Sequence, residues 1–181
     1  MAKTGFGGDS GQQSISVPQG DALQAMFAKL DGINGESKDA KHTDWIDVLA
    51  WGFGIDQAAS TSFGSGVTTG KANVDQFWFT HYADKATATL WQKSLEGKSI
   101  GKLQFNACRI ANGSVDTYLD VTLENVVLSQ IVVQGSADSP RTLEKVFCSF
   151  TKMQAESKAQ DEKGSLIAGG NMTWDIKKNT A

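Results

Sequence analysis

The sequence contains little cysteine. Only Cys108 and Cys148 occur among its 181 residues, 40 positions apart, with no further ligand at metal-binding spacing. Structural zinc sites and disulfide frameworks need closely spaced ligands or a larger even set of cysteines. The spacing therefore argues against both, and we expect two free thiols carried on strands.

Charge of one sign is also scarce. The chain carries 17 Lys and Arg residues against 20 Asp and Glu residues, spread along its length, for a formal net charge of −3. Nucleic acids and anionic membranes attract clustered Lys and Arg side chains. The composition therefore argues against both as partners.

Long hydrophobic runs are missing as well. No stretch approaches the ~20 apolar residues of a membrane-spanning helix, and the N-terminal residues lack the apolar core of a signal peptide. We expect a chain that is made and folded in the cytoplasm. Its export would need a machine that does not read a signal peptide.

The length favours one domain, with a change of composition near residue 24. The first 20 residues contain five glycines and one proline among scattered apolar positions, which is typical of an extension that is mobile or only locally ordered. We therefore predict an N-terminal extension, residues 1–23, followed by one β-barrel domain, residues 24–178.

Most of the domain has the pattern of strands. Residues 45–55 are apolar on both faces, which predicts cover on both sides. Residues 115–133 are too long for a regular strand, and their apolar phase changes near Glu124 and Asn125, which predicts a bulge or bend. The small and polar run 57–70 predicts an exposed loop. Together the predicted strands suggest a closed or nearly closed β-barrel. Their bounds are 25–30, 43–55, 71–80, 102–110, 115–133, 143–153 and 171–178.

One short helix is predicted after residue 83. Asp84 or Thr87 can cap its start, and Gly97 is expected to end it. Its apolar residues are expected on one side of the helix: Leu90, Trp91 and Leu95.

Five segments carry a family resemblance, in order along the chain: "DGINGESKDAKHTDWIDVLAWGFG", "FWFTHYADKATATL", "GKSIGKLQFNACRIANGSVDTYLDVTLENV", "RTLEKVFCSF" and "TWDI". Together they resemble the haemolysin-coregulated protein (Hcp) family, the tube protein of type VI secretion systems. The match runs from about residue 25 to 178. Its most specific part is the opening motif: Asp31, Gly32, Gly35, Glu36, Ser37, Asp39 and His42, followed by Trp45, Ile46, Asp47, Val48 and Leu49.

The resemblance implies a phage-tail-tube-like β-barrel with one short helix, assembled into hexameric rings that stack into a hollow tube. In the family this tube lies inside a contractile sheath, ends in a spike protein of the VgrG type and can shelter effector proteins in its lumen. Contraction expels the tube, so the protein would be cytoplasmic when assembled and then reach the extracellular space or a target cell. The role implied is structural, without catalytic residues, cofactor or metal.

The resemblance also implies two contact surfaces. Stacking contacts of the family lie in the region of the polar run, which gives the predicted ring-stacking residues: Ser60, Thr61, Ser62, Phe63, Gly64, Ser65, Gly66, Val67, Thr68 and Thr69. The aromatic strand supplies residues expected at a lateral ring contact or in the barrel wall: Trp45, Leu49, Trp51 and Phe53.

Two other classes of function stay open at this point. A small-molecule-binding β-barrel would be a monomer with one largely apolar internal pocket. An enzyme would need a nucleophile, a base and an orienting group, and no such set is assembled in the sequence. We interpret the acidic residues of the opening motif as solvated or capping groups and the two histidines, His42 and His81, as polar or packing residues.

Overall fold

The chain folds mainly into strands, with one α-helix in the part that can be described. The structure, a computed structural model, describes residues 24–61, 67–111, 114–160 and 166–180. The elements are β1 Gln24–Leu30, β2 Ile46–Asp47, β3 Ala50–Gly52, β4 Ile55–Thr61, β5 Val67–Val74, β6 Phe77–Tyr82, α1 Thr87–Glu96, β7 Ile100–Ala111, β8 Ser114–Gln134, β9 Leu143–Ser149, β10 Lys152–Gln160 and β11 Leu166–Asp175. The predicted fold class, mainly β with one short helix, is confirmed.

The main sheet is a ladder of antiparallel strands in the order β2-β1-β7-β8-β9-β6-β3, and β10 pairs with β8 and β11. The long strand β8 changes partners along its length. It pairs with β10 up to Glu124 and with β9 from Val127, and Asn125 between them has a positive φ of 54°. The bend predicted near Glu124 and Asn125 is therefore present, and it turns the sheet around the core.

The two ends of this ladder are joined by the dipeptide Val48-Leu49. The Val48 amide donates to the Met26 carbonyl at 2.9 Å, and the Leu49 amide donates to the Thr80 carbonyl at 2.8 Å. The chain thus bonds to β1 and then crosses to β6, which brings the sheet back on itself. The prediction of one continuous strand at 43–55 was wrong, because this crossing breaks it into β2, β3 and the start of β4.

Side chains fill the space that the curled sheet encloses. Trp51 of β3 points inward, with its ring centroid 4.5 Å from that of Phe105 and 5.9 Å from that of Phe77. Burial of each large apolar side chain contributes roughly 1.5–3 kcal/mol. The largest fully buried apolar side chains are Phe77, Phe79, Phe105, Leu30, Ile33, Ile46, Leu90, Leu103, Leu123 and Met153.

Helix α1 begins one residue after Ala86 and ends at Gly97, whose φ of 63° is left-handed, as predicted. Ala86 occupies the N-cap position without a side-chain cap, and the Asp84 carboxylate instead accepts from the Ala86 amide at 2.8 Å. Leu90 is fully buried, whereas Leu95 is 89% exposed. Trp91 and Leu95 line one surface groove, so of the three apolar residues predicted on one side of the helix only Leu90 is fully buried.

The run predicted as an exposed loop, 57–70, is largely a β-hairpin, so that prediction was also wrong. Strands β4 and β5 pair from Ile55–Val74 to Thr61–Val67, with an irregularity between Gln57 and Ala59. Among the described residues they form a separate two-stranded sheet, which we call the arm. Residues 62–66 lie outside the described part. The predicted strand 71–80 is likewise divided, because β5 ends at Val74 and β6 begins at Phe77.

The opening motif contains one glycine that the fold cannot replace. A methyl group at the buried Gly35 would overlap the backbone carbonyl of Trp45. We expect Gly35→Ala to lower the free energy of unfolding by about 2–3 kcal/mol, because backbone cannot yield as a side chain can. Urea unfolding checks this. The control is Gly135→Ala, where a methyl group would lie an ordinary 3.5 Å from Thr142 Oγ1; equal midpoints for both variants would contradict the expectation.

Candidate assembly surfaces

The predicted lateral-contact residues do not share one outward surface. Trp51 points into the core, and Phe53 packs beside it, with its ring centroid 6.3 Å from that of Phe77. Trp45 is half-buried and meets His42 edge-on at 5.0 Å. Leu49 is half-buried at the crossing between β1 and β6. A role at a lateral ring contact or in the barrel wall stays a prediction for all four residues.

The predicted stacking residues that the structure describes lie toward the end of the arm away from its base at Ile55 and Val74. Ser60 and Thr61 end β4, opposite Thr68 and Val67 of β5. Thr69 pairs one step closer to the barrel, opposite Ala59, and the five predicted residues 62–66 are outside the described part. The stacking role stays a prediction.

The opening motif encloses a polar cluster around His42. The imidazole stacks on Phe27 at 4.1 Å, and its Nδ1 lies 2.7 Å from the Asp39 carboxylate. Its Nε2 lies 3.0 Å from Asn106 Oδ1 on β7. Burial would raise the pKa of Asp39, but hydrogen bonds from His42 and from the Lys41 amide outweigh burial and lower that pKa. The cluster holds the turn against the barrel.

Cys108 gives this cluster an apparent likeness to a Cys-His-Asp triad. Its Sγ lies 4.0 Å from His42 Nε2 and 3.3 Å from Thr117 Oγ1. The thiol is fully buried, and burial raises its pKa above the ordinary value. A nucleophilic cysteine needs the opposite, a lowered pKa and access to a substrate. Cys148 of β9 is also free and buried, and burial raises the pKa of its thiol.

A second enclosed cluster fastens α1 to the barrel. The buried Glu144 carboxylate accepts from Thr87 Oγ1 at 2.8 Å and from Trp91 Nε1 at 2.9 Å, and it lies 3.1 Å from His81 Nε2. Burial would raise the pKa of Glu144, but the contacts with His81, Thr87 and Trp91 outweigh burial and lower it. Burial raises the pKa of the neighbouring Asp84. Both predicted histidine roles are therefore structural.

The described residues line several grooves that open to the surface. One, of about 310 Å³, lies between α1 and the end of β8 and is lined by Trp91, Ser94, Leu95, Ile131 and Val133. A small-molecule-binding barrel would instead need an internal pocket, and the interior is occupied by buried aromatic side chains. The described ranges contain no group of three His, Cys, Asp or Glu residues placed to hold a metal ion.

A filled β-barrel with enclosed polar clusters and a separate arm defines a structural protein whose surfaces carry its function. The sequence model of the family described as "Type VI secretion system effector, Hcp" matches residues 27–156. The curated protein hcp1 of Pseudomonas aeruginosa is 34% identical over 155 residues, which cover 85% of this chain and 96% of that protein. The chain belongs to the Hcp family, whose members are secreted tube proteins of type VI secretion and not enzymes.

Solved structures agree with the fold. A type six secretion system protein superposes with a TM-score of 0.79 at 27% identity, covering 86% of this chain and 98% of its own. Hcp1 from Salmonella typhimurium gives a TM-score of 0.71 at 29% identity, covering 88% and 99%. A type VI secretion system effector from Yersinia pestis gives 0.61 at 32% identity, covering 83% and 99%. Within the described residues, no helix is both long and apolar enough to cross a membrane.

The Glu144 cluster generates a pH-dependent prediction. Because the pKa of Glu144 is lowered from 4.5 in the folded protein, its stabilisation is present above pH 4.5 and is lost as the pH falls below that value. We expect Glu144→Gln to lower the free energy of unfolding by about 1.5–3 kcal/mol at pH 7. The gap between the two proteins should narrow below pH 4.5.

Urea unfolding at a series of pH values measures this gap. Glu96→Gln, at the exposed end of α1, is the matched control and should follow the unsubstituted protein throughout. A gap for Glu144→Gln that stays constant or grows as the pH falls would show that the carboxylate does not stabilise the fold by its charge.

Proposed function

We propose that this chain forms closed hexameric rings that stack into the inner tube of a type VI secretion machine. The observation that carries the proposal is the Hcp family match, which covers residues 27–156 in one stretch. Self-assembly into oligomeric tubes is the property of that family. The six-fold number and the head-to-tail stacking are the finer steps that we propose for this chain.

The geometry supports a head-to-tail assembly. The arm pairs with no other described strand, so β4 and β5 each leave one edge of backbone hydrogen-bonding groups without a strand partner. Ile55 at the base of β4 is 58% exposed. Open strand edges and an exposed apolar residue at one place on a subunit favour contact with another chain. We take that contact to be heterologous, because contacts between different surfaces of identical copies build rings and tubes.

The partners follow from the same proposal. The tube would lie within a contractile sheath and meet a spike protein of the VgrG type at its tip, and its lumen would hold effector proteins during transport. Contraction of the sheath would expel the tube from the cytoplasm to the outside or into a target cell. The proposal requires no cofactor, metal, nucleic acid or membrane.

Ring formation is the first test. We expect light scattering of the purified protein to give six times the chain mass of 19.4 kDa, and negative-stain micrographs to show closed six-fold rings. A monomer at micromolar concentration without rings would refute the proposal and return the small-molecule-binding barrel to consideration.

The arm and the extension provide the second test. Shortening residues 60–69 or deleting residues 1–20 should leave the number of subunits per ring unchanged, because the described strands of the main ladder all stay in place. Both should alter tube formation and the amount of protein released by cells with an active secretion system. Loss of the ring in both variants, or no change in tubes and release in either, would show that the stacking surface is not formed by these two segments.

A matched control separates the effect of the length of the arm on stacking from the effect of its strand pairing. Residues 60–69 are replaced by a Gly-Ser segment of the same length, which keeps the spacing but weakens strand pairing. If this variant forms tubes as the unsubstituted chain does, the arm acts only as a spacer.

A further inference from the structure

The ladder of β3, β6, β9 and the second half of β8 has two chemically distinct faces. Its registers place Gly52, Trp78, Phe147 and Gln130 in one row, with Thr80, Lys145 and Val132 in the next. The alternate positions point into the core. We call the opposite side the aromatic-lysine face, and its residues are Ala50, Gly52, Trp78, Thr80, Tyr82, Gln130, Val132, Gln134, Leu143, Lys145 and Phe147.

Trp78 is the centre of this face. It packs over Gly52, where an added Cβ would approach Trp78 Cζ2 to 2.9 Å, so only glycine lets the indole settle on the sheet. Lys145 Nζ lies 3.9 Å from the Trp78 ring centroid and 5.1 Å from that of Phe147. An ammonium over an aromatic ring is held there by the ring quadrupole. The face therefore presents a positioned cation between two aromatic side chains.

The Lys145 cation has no acidic counterpart in the described part of the chain. Its side chain is 7% exposed, and burial, without any charged partner, lowers the pKa of the ammonium. An incoming carboxylate would meet the ammonium through the small fraction of Lys145 that stays exposed. No residue of the face is acidic, although the whole chain has a net charge of −3.

Arg141 adds a second cation at the border of the face. Its guanidinium lies 4.9 Å from the Tyr82 ring centroid, and its only described carboxylate neighbour is Glu36, at 4.0 Å with both side chains half-exposed. Asp75 lies at another border, where it lines a groove of about 290 Å³ together with Trp78 and Phe147. The residues of the face itself thus include one cation and no acid, and the acidic side chains of Glu36 and Asp75 lie at its borders.

We propose that the aromatic-lysine face binds an acidic segment of a passenger protein. Carboxylates of that segment pair with Lys145 and Arg141, and its apolar atoms rest on Trp78 and Phe147. This inference rests on the proposed tube function, because a secreted tube is what gives a passenger protein a reason to be held.

The size of the face sets the strength of binding. Four strands about 4.8 Å apart and three rows along them cover roughly 15–20 Å in each direction, or a few hundred Å². This is less than the ~800 Å² that each partner usually contributes to a stable complex. One face alone therefore binds weakly, and a ring that repeats the face can hold a passenger through several faces at once.

The probes are two fluorescein-labelled peptides of equal length, built from repeated Glu-Leu-Gly-Ser or Lys-Leu-Gly-Ser units. We expect the full-length protein to raise the anisotropy of the glutamate peptide and not that of the lysine peptide. Raising the salt from about 50 mM to about 500 mM should weaken this binding, because partly exposed charges are screened. Equal binding of both peptides, or of neither, would overturn the proposal.

Substitutions locate the site. Lys145→Gln should weaken binding of the glutamate peptide by about threefold to tenfold, and Lys145→Glu should reverse the preference between the peptides. Phe147→Thr should weaken binding through loss of the apolar support. The matched control, Lys177→Gln, removes an exposed lysine outside the face and should leave affinity unchanged. Unchanged binding by Lys145→Gln and Lys145→Glu would overturn the assignment.

Ring mass by light scattering is measured on every sample, so that the two proposals fail separately. If Lys145→Gln and Phe147→Thr form intact rings and bind the glutamate peptide more weakly, the result supports the aromatic-lysine face as a passenger site. Loss of rings in both Lys145→Gln and Phe147→Thr shows that the face contacts a second copy, which overturns this inference and leaves the tube function standing. If the unsubstituted chain forms no rings, the tube function fails and the passenger proposal, which rests on it, fails too, even where the glutamate peptide binds.

Discussion

The fold depends on the place where two adjacent backbone amides bond to opposite edges of one curled sheet. The Val48 amide donates a hydrogen bond to the Met26 carbonyl of β1, and the Leu49 amide donates one to the Thr80 carbonyl of β6. Each bond contributes only about 1 kcal/mol to stability, but together they decide which strands become neighbours. Without the crossing, β1 and β6 would each leave an edge open to non-native pairing. The polar half of the opening motif, with Gly35 against the Trp45 carbonyl, delivers the chain to this crossing.

The bend in β8 has an equally wide effect, because it gives one barrel two unlike outer surfaces. Before Asn125 the strand turns Asp120, Thr122 and Glu124 away from the core. Asp120 lies between Asn106 and Glu156, Thr122 lies between Gln104 and Gln154, and Glu124 lies opposite Lys152. After the bend the outward positions are Gln130 and Val132, beside Phe147 and Lys145. Rings are built from contacts between different surfaces of identical subunits. A strand shared by two faces fixes the angle between those surfaces within each subunit, so their relative orientation does not depend on flexible loops.

The sequence predicts the elements that obey local rules and misses those that tertiary contacts decide. The end of α1 at Gly97 and the bend at Asn125 were predicted, because a left-handed residue and a change of apolar phase are local signals. The break at Val48-Leu49 was not, since the apolar pattern continues through it and only the partner strands reveal the crossing. The hairpin nature of 57–70 was missed because its pairing lacks apolar alternation. Lys145 was missed too, although its place between Leu143 and Phe147 in strand alternation was a usable signal.

The order of the arm changes how its contribution to stacking is to be understood. An unstructured segment would lose about 1–2 kcal/mol of backbone conformational freedom per residue on docking. The described part of the arm is already paired from Ile55–Val74 to Thr61–Val67. Its backbone therefore loses this conformational freedom when the chain folds and not when the arm docks. Yet an isolated two-stranded hairpin is marginal in water, and this one is fastened at its base, where Val74 packs against the core and the Asp75 amide donates to the Gly54 carbonyl at 2.9 Å. A contact made by the arm in a stack would therefore stabilise the pairing of β4 with β5, which the barrel already stabilises at the base of the arm. Any interaction that favours the ordered state raises its population by mass action, so stacking through the arm, where it occurs, would also favour the ordered arm.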